Sequence, residues 1–125
     1  MQINMNNVTC PLQIAANMIN GKWKSIIIFQ LSLGNSSLSK LQKDIIGISQ
    51  KMLLEHLNQL RENGLVDKIT YDGYPLKVEY FLTNRGKQML KAIIIFQEIG
   101  IEVLKEKKLF NALNEKSLSY IRKSK

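Results

Sequence analysis

The sequence predicts a mainly α fold of one domain, interrupted by a single small β-hairpin, and three observations carry that expectation. Apolar residues recur at helical spacing in four segments before residue 64 and along one long segment after residue 83. Between these, residues 65–71 and 77–82 are rich in β-formers, and the second run alternates in the two-residue period of a strand. The chain has 125 residues and is 45% hydrophobic, enough to bury a core without metal or disulfide staples and too apolar for disorder.

Pro11 suits a first helical position, because its missing N–H would be unbonded there anyway. Leu12, Ala15, Ala16 and Ile19 follow at helical spacing, and Asn20-Gly21 is a stop signal. A second helix is expected over residues 22–33. Trp23, Ile26, Ile27, Ile28, Phe29 and Leu31 make it apolar on most sides, as befits a central core helix. Leu33-Gly34-Asn35-Ser36-Ser37 reads as a turn. A short amphipathic helix then carries Leu38, Leu41 and Ile45 on one face and stops at Ile46-Gly47-Ile48. Ser49 is a good N-cap for a helix over residues 50–63, with Met52, Leu53, Leu57 and Leu60 as its expected buried stripe and Gly64 as its terminator. In the hairpin, Val78, Tyr80 and Leu82 alternate against Lys77, Glu79 and Phe81, and Asp72-Gly73-Tyr74-Pro75 supplies the turn. Thr83 caps a long helix to about residue 106. A last short helix is expected over residues 115–121, and the basic tail over residues 117–125 should fray.

A short helix joined through a glycine-containing turn to a second helix is a helix-turn-helix, and a hairpin directly after it is a wing. The expected class is therefore a winged helix-turn-helix. One face of its second helix is not needed for the core. Lys51, Leu54, Glu55 and Asn58 share that face at i, i+3, i+4 and i+7, with Ser49 and Gln50 at its N-terminal end. A recognition helix offers such N-terminal residues to base edges in the major groove. Glutamine and asparagine pair with adenine, and lysine reaches guanine or phosphate. Lys40 and Lys43 on the preceding helix, and Lys68 and Lys77 flanking the wing tip, are placed for the DNA backbone. The formal net charge of +8 agrees with an anionic partner. A protein-interaction module on the same fold is the alternative, and Leu54 and Glu55 on the recognition face keep it open.

Other classes find no support. The one histidine, His56, has no Cys or His at ligand spacing, and no phosphate loop or paired nucleophile and base occurs, so neither a metal site, a cofactor nor an enzyme is expected. No apolar run approaches a bilayer span and no secretory signal is visible, which with the single cysteine points to the cytosol.

The ordered set Cys10-Pro11, Gly21-Lys22-Trp23-Lys24, Gly47-Ile48-Ser49-Gln50-Lys51-Met52-Leu53, Leu60, Gly64-Leu65-Val66, Lys77-Val78-Glu79-Tyr80, Leu82-Thr83 and Gly86 resembles the HxlR-type transcriptional regulators, relatives of the MarR group. The resemblance covers about residues 8–105. It implies a homodimeric bacterial regulator on an operator with two half-sites, with Gln50 and Lys51 opening the recognition helix. The wing loop departs from it, because Asp72-Gly73-Tyr74 stands where a more basic or Pro-rich stretch is expected.

A dimer is also expected from the long helix itself. Met89, Leu90, Ile93, Ile94, Phe96, Ile99, Ile101, Val103 and Leu104 offer more apolar surface than one side of a small domain covers. The expected division is a DNA-binding core over about residues 8–82, with the first helix and about residues 83–122 for dimerisation through Met89, Ile93, Phe96, Ile99 and Val103. Two recognition helices about 34 Å apart would read a pseudo-palindrome. Cys10 has two readings. It is a small buried hydrophobe at a helix start, or, by the resemblance, a sensor of oxidants or electrophiles whose thiolate the helix N-terminus favours. A small-molecule effector is the other expected input, its pocket lying between the DNA-binding part and the dimer helices.

Overall fold

The computed structural model describes residues 10–107. The order is α1 (Pro11–Met18), α2 (Lys24–Leu31), α3 (Leu38–Asp44), α4 (Gln50–Glu62), β1 (Val66–Tyr71), β2 (Lys77–Leu82) and α5 (Asn84–Glu106). The expected helix over residues 115–121 and the basic tail lie outside the described residues. No helix among the described residues is long and apolar enough to cross a membrane.

Local chemistry sets most boundaries. Ser37, Ser49 and Thr83 sit in extended backbone before α3, α4 and α5, and each side chain accepts the backbone N–H three residues on: Lys40, Met52 and Gly86. Each thereby satisfies one of the amides a helix start leaves unbonded. Gly64, at φ +75°, follows Asn63, the C-cap of α4, and turns the chain into β1. An added Cβ there would also meet the Arg85 guanidinium at 2.8 Å. The second helix is shorter than its apolar run, because the chain bends through residues 21–23 and Leu33 lies exposed past the end of α2.

The core forms where α2 is enclosed. Ile27, Ile28, Phe29 and Leu31 are buried against Leu41 and Ile45 of α3, Leu53, Leu57 and Leu60 of α4, Tyr80 and Leu82 of β2, and Ile93 of α5. Met52 does not join them. The buried stripe of α4 is Leu53, Leu57 and Leu60, and Met52, one position round the helix, is exposed. A single i, i+4, i+7 row suffices to fill the space under α4, so the expected fourth member points outward.

The hairpin pairs antiparallel with Val66 opposite Leu82, Lys68 opposite Tyr80 and Tyr71 opposite Lys77. Residues directly opposite one another share a face, so Val66, Lys68, Tyr80 and Leu82 line the face that carries the buried residues. Tyr71, Lys77 and Glu79 line the other. The segment read as a turn after α2 does more than turn. Ser36 exchanges two backbone hydrogen bonds with Tyr80, at 3.0 and 2.8 Å, and adds a one-residue third strand that ties the hairpin to the helix-turn-helix.

Candidate nucleic-acid interface

α3, the Ile46–Ile48 turn and α4 form the helix-turn-helix. Gly47 takes φ +87° at the turn, and Ile48 is buried beneath it. The cap on Ser49 fixes where α4 starts, and with it which side chains stand at its N-terminus. Gln50, Lys51, Leu54, Glu55 and Asn58 are all exposed, so the face expected to read bases is open to solvent. Met52 is exposed beside them and enlarges the apolar part of that face. His56 is half-buried at its edge. Burial holds its imidazole below the usual histidine range, Lys24 adds to this and Glu55 opposes it. Lys24 itself is buried on α2, and burial lowers its ammonium pKa against the opposing pull of Glu62.

The four lysines expected at the DNA backbone have different surroundings. Lys40 is paired with Asp44 at 3.0 Å. Lys77 lies 3.9 Å from Glu79 and its ammonium sits over the Tyr71 ring. The same Glu79 accepts the Tyr71 hydroxyl at 3.0 Å, and that hydrogen bond raises the phenol above its usual range. Lys68 and Lys77 occupy opposite faces of the hairpin, so one groove cannot hold both from a single side. Lys43 is exposed on α3. Across residues 38–82 the charges cancel: Lys40, Lys43, Lys51, Arg61, Lys68 and Lys77 face Asp44, Glu55, Glu62, Asp67, Asp72 and Glu79 in number. The excess of positive charge lies elsewhere in the chain. At the wing tip Tyr74 and Leu76 are exposed beside Asp72, so the tip is apolar and acidic.

The expected dimerisation residues divide. Ile93 is buried in the core of the protomer, and Met89 packs partly against that core. Phe96, Ile99 and Val103 are exposed, and Ile95, which the sequence reading did not single out, is exposed with them. α1 buries no residue and holds Leu12 outward at 78% exposure. Cys10 is exposed at the N-cap of α1 and is a free thiol. An open apolar cavity of about 310 Å³ lies between α2 and α5, lined by Ser25, Ile26, Phe29, Ile93, Phe96 and Gln97.

Comparison with known proteins agrees with this architecture. Residues 18–108 match the HxlR-like helix-turn-helix family. An uncharacterised HTH-type transcriptional regulator of Methanothermobacter thermautotrophicus is 35% identical over 91 residues, which are 73% of this chain and 70% of that one. The HTH-type regulator YkvN of Bacillus subtilis is 35% identical over 85 residues, 68% of this chain and 72% of its own. Among solved structures, the redox regulator HypR in its reduced form superimposes with a TM-score of 0.71 at 29% identity, covering 77% of this chain and 94% of that one. The reduced form of the regulator YodB from B. subtilis gives 0.64 at 30% identity, covering 78% and 94%. With a winged helix-turn-helix built on α3, α4 and the β1–β2 hairpin, the chain belongs to the HxlR-like helix-turn-helix family of transcriptional regulators.

Proposed function

We propose that the protein is a homodimeric transcriptional regulator that binds double-stranded DNA sequence-specifically, with α4 in the major groove of each half of a pseudo-palindromic operator. The observation that carries this reading is the capped N-terminus of α4, where Gln50, Lys51, Leu54, Glu55 and Asn58 form an exposed face that the protomer's own core does not use. Gln50 and Lys51 read bases, and Lys40, Lys43, Lys68 and Lys77 meet phosphates. The division of the chain follows, with about residues 8–82 on DNA and α1 and α5 at the dimer contact. Selection of bound fragments from a random duplex pool would yield the preferred site. On that site Lys51→Ala should cost about 1–3 kcal/mol of discrimination, weakening it more than random duplex. Equal losses on both would assign Lys51 to the backbone.

A protein-docking role is the second reading. The exposed Leu54 and Met52, the cancelled charge of residues 38–82 and the apolar wing tip favour it. It requires that no duplex be bound at low or moderate salt, which a gel shift decides.

Cys10 supplies a route for regulation. Its exposure in the protomer favours the sensor reading over that of a buried hydrophobe, and its helix, α1, buries no residue of its own. HypR and YodB, the structural relatives, were solved in reduced and in oxidised or diamide-treated forms. Oxidation here would join Cys10 of two subunits, two thiols giving up two protons and two electrons to an oxidant such as diamide, which becomes the hydrazine. Diamide should then change operator affinity of the wild type and leave a Cys10→Ser variant unaffected. Unchanged wild-type affinity would remove the sensor role.

A further inference from the structure

The charges of the helix-turn-helix and wing cancel, so a cation brought to that surface from another part of the chain would add to its attraction for the DNA backbone. The fold brings one there. Trp23, just before α2, lays its indole against the helix-turn-helix turn, and a Cβ added to Gly47 would stand 3.7 Å from its Cη2 atom. The exposed Lys22 then folds back so that its ammonium sits 4.5 Å from the centre of the Trp23 ring. Gly47 is two residues from Ser49, the cap of α4, so the ring under the ammonium rests on the turn that leads into the recognition helix. Among the described residues no carboxylate pairs with Lys22, whereas Lys40 and Lys77 each have one.

We infer that Lys22 is a DNA-backbone contact of the helix-turn-helix, with Trp23 as its positioning residue and Gly47 as the surface on which the indole rests. The inference rests on the DNA reading above. Attraction between ammonium and ring restricts where the charge sits, and an ammonium has three donors, so contact with the ring leaves donors for a phosphate oxygen. The contact is with phosphate, so it adds affinity on any sequence.

The test is the salt dependence of binding to a duplex of random sequence. Lys22→Ala should weaken binding and make the slope of log affinity against log salt shallower by about 0.9. The wild-type advantage should therefore shrink about three- to fourfold between roughly 50 and 200 mM salt. Lys22→Arg keeps both charge and ring contact and should keep the slope. Trp23→Leu should weaken binding with the charge intact, and Trp23→Phe should restore it, each compared at equal thermal stability. A Lys22→Ala slope equal to that of the wild type overturns the inference and leaves the DNA reading standing. Wild-type protein that binds no duplex at any salt overturns both.

Discussion

Replacing Gly86 with alanine is expected to destabilise the protein by about 3 kcal/mol, the upper end for overpacking a core. Gly86 is buried in the first turn of α5. A Cβ on it would lie 2.1 Å from the Leu65 carbonyl oxygen, 3.1 Å from its carbon and 3.2 Å from Leu82 Cδ2. The oxygen cannot move aside cheaply, because it accepts the Thr83 N–H at 3.1 Å. The Thr83 hydroxyl bonds the Gly64 carbonyl and also caps the Gly86 N–H. α5 would have to lift off the start of β1 and break this junction. Gly100, in the same helix, is the control. It has open space around its missing Cβ, so Gly100→Ala should stabilise by about 0.5–1 kcal/mol through lower unfolded-chain entropy. Urea unfolding of both variants checks the pair. Equal effects would mean that the close approach of α5 to Leu65 is not what fixes Gly86.

That junction also shows what a sequence holds and what it hides. Ser49, Thr83 and Gly64 were legible because capping and left-handed termination are settled within four residues of chain. The recognition face was legible for the same reason, since one helix period places Lys51, Leu54, Glu55 and Asn58 together. Met52 was misplaced because hydrophobicity states that a residue prefers burial, not that the neighbouring helix leaves room for it. The opposite faces of Lys68 and Lys77 depend on hairpin register, which a loop of uncertain length leaves open. The Ser36–Tyr80 bridge, the indole on Gly47 and the carbonyl against Gly86 join positions 44, 24 and 21 residues apart, and no local pattern encodes them. Net charge informs in a different way: +8 is a property of the whole chain and agrees with an anionic partner, but it does not say where the charge lies, and residues 38–82 are balanced.

The largest functional effect is expected from Phe96→Glu combined with Ile99→Glu. Ile95, Phe96, Ile99 and Val103 follow at helical spacing and form one exposed apolar stripe along the C-terminal half of α5, each at 38–59% exposure. Water meets that stripe in the protomer, and a second copy is the partner that the proposed dimer provides. Glutamate is a better helix former than isoleucine or phenylalanine, so α5 itself should tolerate both changes. Buried unpaired between two subunits, the same carboxylates would be prohibitive. The double variant should therefore be a folded monomer by light scattering, with thermal unfolding of the protomer core retained. Each α4 would then meet its half-site alone. Losing the linkage between half-sites should lower affinity for the full operator by about 10²–10⁴-fold while leaving single half-site binding unchanged. Ile93→Glu is the instructive contrast. It places the charge in the protomer's own core, so it should unfold the chain instead of dissociating it. If the double variant keeps the mass and operator affinity of the wild type, the stripe on α5 is not the dimer contact, and the apolar surface of α1 around Leu12 becomes the place where the second subunit has to be sought.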